Sequence, residues 1–176
     1  MLFFQKRFWK ILLVVAFAVL APYIYLSCFA HPIADDYHYS FLGMKPDFWN
    51  EWKKQYTEWN GRYTSNLLVL LNPMAFHNLF LYKAASSIQI LLSLLSIYYF
   101  FRSITDRSFS RLVTLDASVL LLLLYLFSMP SLAEGIYWYT GAVSYQTGIC
   151  ISLLYFGLLC NYFNAEITNT QYQVLS

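Results

Sequence analysis

The stretch Ile11–Phe29, ILLVVAFAVLAPYIYLSCF, carries no charge. It matches the roughly 20 apolar residues that a helix needs to cross a bilayer. Lys6, Arg7 and Lys10 stand before it, and three cations ahead of a first span predict a cytoplasmic N-terminus by the positive-inside rule. No charge follows until His31-Pro32-Ile33-Ala34-Asp35-Asp36-Tyr37-His38-Tyr39, where two carboxylates arrive together. On this reading they emerge on the external face.

The rest of the composition agrees with a membrane protein. Of 176 residues, 59% are hydrophobic and 11% charged, less than half the charged share of an ordinary soluble domain, about 25%. A net charge of +2 and the absence of a basic run tracking phosphates argue against nucleic acid as a partner. Cys28, Cys150 and Cys160 lie in or beside apolar segments without C-x-x-C spacing, so they read as small buried hydrophobes rather than a disulfide framework or zinc site. The 16 Tyr, 15 Phe and 5 Trp suit membrane interfaces, where rings with one polar edge concentrate.

Reading outward from the first span (residues 8–29), three more follow at 77–101, 112–129 and 143–163. Lys83 is expected to snorkel from the second. Arg102, Arg107 and Arg111 flank a short connector that reads as cytoplasmic. Asp116 falls one turn inside the third span, where nearness to Arg111 favours a shallow structural charge over a functional one. Residues 164–176 read as a polar cytoplasmic tail. The fold class is therefore all-α integral membrane, with four transmembrane helices, the bilayer as partner and one transmembrane domain over 1–163.

The loop 30–76 is expected to hold interfacial helices. Pro46-Asp47 reads as a helix start with Asp47 as N-cap. From there Phe48, Trp49, Trp52, Tyr56, Trp59 and Tyr63 share roughly a 100° arc at helical spacing, with Glu51, Lys53, Lys54 and Glu58 outside it. Such an aromatic face suits a helix lying in the interface. Asn60-Gly61 reads as its stop, and Tyr63–Leu71 as a second short helix ended by Asn72-Pro73.

The distinctive polar residues all fall on the predicted external side: Asp35, Asp36 and His38, then Arg62, then Glu134, Trp138 and Tyr139 between spans three and four. Two carboxylates in contact at a membrane edge cannot both ionise easily, which suits one of them to proton transfer near neutral pH. The same pair would also suit a hard divalent cation. Arg62 offers a planar fork for a phosphate, and Gly61 before it either permits close backbone approach or caps a helix. Each motif also has a plain reading, with Asp35-Asp36 as a solvated boundary or helix cap and Arg62 bound to lipid headgroups.

Ala34-Asp35-Asp36-Tyr37, Trp59-Asn60-Gly61-Arg62-Tyr63 and Glu134-Gly135-Ile136-Tyr137-Trp138-Tyr139-Thr140-Gly141-Ala142 together resemble a family of bacterial multi-spanning membrane proteins. That family is similar to the GT-C class of glycosyltransferases, which take a sugar from a polyprenyl-phosphate carrier. The resemblance covers residues 8–163. It implies a site on the outside of the bacterial plasma membrane and a glycan or lipid acceptor. Asp35 and Asp36 would be catalytic, one of them the general base, while His38, Arg62, Glu134, Trp138 and Tyr139 would bind substrate. The GT-C core has at least seven spans, so four imply an N-terminal part, completed by further spans or a subunit. Two other functions fit the same residues: a non-enzymatic subunit or transporter handling lipid-linked precursors, and a structural four-helix membrane protein.

Overall fold

A computed structural model describes residues 2–175, with side chains from Arg7 to Ala165; Lys6 of the N-terminal cations thus has its side chain outside the described residues. Among the described residues, eight α-helices form the backbone of the fold: α1 Leu2–Leu26, α2 Asp35–Gly43, α3 Phe48–Lys54, α4 Tyr63–Leu70, α5 Leu79–Ile104, α6 Arg111–Ser128, the single turn α7 Tyr139–Gly141, and α8 Thr147–Leu175. No strand occurs among the described residues. Four helical stretches among the described residues are long and apolar enough to cross a membrane, Arg7–Phe29, Leu79–Ile104, Arg111–Ser128 and Tyr139–Ala165. They coincide with the predicted spans to within a few residues. The helix containing the fourth span runs on through Asn164 to Leu175, where the sequence suggested a separate tail.

Local chemistry explains the boundaries. The Asp47 side chain accepts from Asn50 N at 3.1 Å and caps α3 as predicted. Asn72 Oδ1 accepts from Met74 N at 2.9 Å and opens the short turn Pro73–Phe76. Asn78 Oδ1 accepts from Leu81 N at 2.9 Å and starts α5, while α6 stops at Ser128, just before Pro130.

The chain divides into two compact units. One gathers the chain up to Ala21, Leu92–Ser128 and the chain from Ile149. Its burial pattern inverts that of a soluble protein. Ser96, Ser103, Thr114, Asp116 and Ser118 are buried, whereas Leu95, Leu124 and Leu158 are exposed, and Phe127 is 82% exposed. Apolar side chains facing outward along membrane-length helices have lipid as their natural solvent. The buried hydroxyls are satisfied within their own helices: Ser118 donates to Thr114 O at 2.7 Å and Ser103 to Tyr99 O at 3.0 Å. Asp116 is buried in α6. It forms no ion pair with Arg111, and neither of its carboxyl oxygens meets a partner.

The second unit comprises Pro22–Leu91 and Met129–Gly148. Its apolar centre is Tyr39 and Leu42 of α2 against Val69 and Leu70 of α4, with Phe48, Trp52 and Val143 packed on it. Gly43 permits this packing, because a Cβ there would collide with the Leu70 carbonyl. The predicted aromatic face forms as a run of edge-on rings, with Trp49–Trp52 centroids at 5.8 Å, Trp52–Tyr63 at 4.6 Å and Tyr56–Tyr63 at 5.7 Å. Its geometry is not one continuous α-helix, since α3 passes at Gln55 into a π-helical segment, Gln55–Asn60.

The residue leading into α2 is strained. Ala34 has φ 42° and ψ −111°, a conformation natural to glycine and costly for a residue with a Cβ, by about 1–3 kcal/mol. Ala34→Gly is therefore expected to raise the thermal unfolding temperature in detergent, by roughly 1 kcal/mol of stability; a fall would show that the turn gains more from the alanine than it loses.

Candidate functional site

The acidic pair opens α2 as its first two residues, where negative charge is favoured by the helix dipole. Successive side chains on a helix diverge by about 100°, so the two aspartates take opposite roles. Asp36 is fully buried. Its Oδ1 accepts from Thr140 N at 3.0 Å and Thr140 Oγ1 at 2.7 Å. Its Oδ2 accepts from the Tyr82 hydroxyl at 2.6 Å and Ile33 N at 3.2 Å. Asn72 Nδ2 also reaches the Asp36 carbonyl, at 3.4 Å. Asp36 thus fastens the start of α2 to α5 and α7, and four donors occupy its carboxylate.

Asp35 is exposed and lines two neighbouring cavities that share it with Tyr39 and Trp59. The first, about 430 Å³, adds His38, Lys54 and Glu58. The second, about 320 Å³, adds Arg62, Asn66, Trp138 and Tyr145. Both volumes fall within the usual range for small-molecule sites, about 300–1,000 Å³.

The second cavity is rich in donors. The Arg62 guanidinium lies 5.3 Å from the centre of the Tyr145 ring, and two of its nitrogens make only long 3.4 Å contacts with the Tyr145 hydroxyl. Asn66 Nδ2 and Trp138 Nε1 are buried with no partner in the protein. A buried donor left unpaired costs about 1–3 kcal/mol, so these nitrogens favour an incoming acceptor. The Tyr39 hydroxyl stays protonated to unusually high pH: burial raises its pKa and the Asp35 charge adds to this, against smaller opposing effects of Trp59 and Arg62. It can therefore act as a further donor beside Asp35.

Of the sequence-predicted site residues, the fold brings Asp35, His38, Arg62 and Trp138 to these cavities. Asp36 lies behind them. The Tyr139 hydroxyl instead donates to Leu68 O at 3.0 Å, satisfying a carbonyl left free near the end of α4. Glu134 is exposed on the π-helical turn Ala133–Tyr137 and lines neither cavity. Gly61, at φ 65° with open space around it, serves as a left-handed helix terminator and not as a point of close approach. Asp35 lines both cavities, whereas the Asp36 carboxylate lines neither and is occupied by its own four donors. Sequence reasoning missed Tyr39, Asn66 and Tyr145. Asn66 had a readable signal, as a lone amide ahead of the apolar run Leu67–Leu71.

Three π-helical segments, Gln55–Asn60, Ala133–Tyr137 and Ala142–Gln146, belong to this unit. Such segments are rare and concentrate at functional sites. Two of them carry cavity residues, Trp59 and Tyr145.

No protein-family model, no curated protein and no solved structure matches the chain.

The divergence of the two aspartates makes opposite predictions for stability. Asp36→Ala, which orphans buried donors, is expected to lower stability by about 3 kcal/mol or more, whereas Asp35→Asn leaves the unfolding temperature in detergent nearly unchanged. The Tyr137 hydroxyl donates to Tyr23 O at 2.6 Å, and burial pushes its pKa up to about 12. The neutral phenol is the form the fold favours, so its contribution is complete below pH 10 and declines as pH rises from about 10 to about 12. An unfolding titration over that window is expected to show a smaller alkaline decline for Tyr137→Phe than for the parent.

Proposed function

We propose that the protein is a membrane glycosyltransferase component of GT-C type, with Asp35 as its general base. The observation that carries this reading is the second cavity: a guanidinium and two unpartnered buried N–H donors opposite one exposed carboxylate. Donors in excess favour a ligand rich in oxygen acceptors, as a sugar phosphate is. Aromatic walls from Trp59 and Trp138 suit the apolar faces of a pyranose.

In this scheme the sugar phosphate occupies the second cavity, with Arg62 on the phosphate, and the acceptor hydroxyl approaches from the first cavity beside His38. The hydroxyl oxygen bonds to the anomeric carbon while its proton passes to the Asp35 carboxylate. The anomeric carbon–oxygen bond to phosphate breaks, and the electron pair leaves with the polyprenyl phosphate, whose growing negative charge Arg62 offsets. Asp36 takes no proton. It holds Asp35 in place through α2.

The orientation that goes with this scheme puts the site outside a bacterial plasma membrane. Lys6, Arg7 and Lys10 before the first span, and Arg102, Arg107 and Arg111 between the second and third, support a cytoplasmic side for those segments. A polyprenyl chain would remain in the bilayer while its phosphate reaches Arg62.

Membranes carrying the protein, supplied with radiolabelled polyprenyl-phosphate sugars, are expected to transfer label. Asp35→Asn should lower the rate by about 10²–10⁴-fold, the usual contribution of a general base, with carrier binding retained. Arg62→Gln should weaken carrier binding. Transfer unchanged in Asp35→Asn would remove the catalytic assignment.

A further inference from the structure

We infer that the end of α5, the connector after it and the start of α6 form a binding site for an anionic phospholipid, with separate places for its phosphate and for one acyl chain. Two cavities in the first-described unit carry this inference. One, about 340 Å³, is polar and gathers Arg102, Arg107 and Arg111 with Tyr99, Ser103 and Asn161. The other, about 380 Å³, is walled by Leu94, Leu95, Leu112 and Leu115. The two share Tyr98 and Arg111, so a charged compartment adjoins an apolar one.

The charged compartment holds three cations and no acid among its lining residues. Like charges gathered on one cavity repel, and their approach is enforced by the backbone. Asp106 and Arg107 adopt φ of 46° and 59°, and Arg107 N donates to Arg102 O at 3.1 Å, which folds the connector back on the end of α5. Asn161 Nδ2 stiffens the wall, donating to the Tyr99 hydroxyl at 3.1 Å and Ser103 Oγ at 3.0 Å. One Arg102 nitrogen is committed to Phe109 O at 3.1 Å, which aims the guanidinium while leaving its other donors available. Arg107 and Arg111 are exposed.

This combination identifies the ligand class. A free phosphate would use the arginines and leave the leucine-lined cavity empty of purpose. A zwitterionic lipid would fill the leucine cavity but bring its own cation to the arginines. A lipid with a net negative headgroup satisfies both, and the ends of membrane-length helices at Ile104 and Arg111 are where such headgroups lie. None of these residues lines the Asp35 cavities.

The test is native mass spectrometry of the full chain in neutral detergent, with dioleoylphosphatidylglycerol, dioleoylphosphatidylcholine and inorganic phosphate as probes. The phosphatidylglycerol adduct is expected to survive in clear preference to the phosphatidylcholine adduct and to resist competition by inorganic phosphate. Arg107→Gln and Arg111→Gln, both at exposed positions, should each weaken it about fivefold. Leu115→Trp, which fills the apolar cavity, should weaken phosphatidylglycerol but not phosphate. Equal retention of the two lipids, or displacement by phosphate as readily as by lipid, would overturn the inference without recourse to any variant. Full retention in both arginine variants would overturn it as well.

Discussion

Taking a carboxylate out of water costs several kcal/mol unless donors replace the lost hydration. The second unit meets that cost for Asp36 with four hydrogen bonds drawn from Ile33, Tyr82 and Thr140. These residues come from a loop, a membrane-length helix and a short turn far apart in sequence. Without the carboxylate, Thr140 would keep two buried donors that have lost their acceptor, and Tyr82 would be left its longer contact with His31 O at 3.2 Å. Without Thr140, α7 would lose its tie to α2. The other links serve the same assembly: Tyr139 to Leu68, Tyr137 to Tyr23, Asn72 to the Asp36 carbonyl. Two phenols and an amide are used as fasteners, each donating to a backbone carbonyl of another segment.

That division of labour defines what is available for chemistry. Asp36 is satisfied and enclosed; Asp35, one residue earlier, is exposed between two cavities. The contrast needs no special device beyond helical geometry, since adjacent side chains on α2 cannot face the same way. The rigid member of the pair fixes the position of the free one. Positioning of this kind is what the general-base role proposed for Asp35 requires, because a hydroxyl proton is abstracted only from hydrogen-bond distance.

The membrane spans were legible in the sequence because hydropathy alone sets them, and Asp47 was legible because capping is local. Two features were not. The helix α2 was given no bounds, since its nine residues mix Asp, His and Ser with Tyr and Phe and show little periodicity, although the plain reading of Asp35-Asp36 as a helix cap pointed to a helix start there. The π-helical segments were also hidden. Assigning 100° to every residue from Phe48 to Tyr63 assumes an unbroken α-helix, and the register changes at Gln55. Glu134 and Tyr139 were drawn into the site by resemblance of their motif, although one is solvated and the other fastens α4. Asn66, which does line the cavity, was signalled only by a lone amide ahead of the apolar run Leu67–Leu71, and Tyr39 only by being one of many tyrosines in a polar stretch.

The π-helical segments also make the cavity walls unusually easy to retune. A π turn amounts to an α-helix that has accepted one surplus residue. Loss of a single residue within Gln55–Asn60 would restore the regular ladder and change which side chains of that segment line the cavities beside Asp35. The packed centre at Tyr39, Leu42, Val69 and Leu70 lies outside that segment. One-residue deletions, which ruin most helices, would here reshape a cavity wall while the Asp36 junction stays intact.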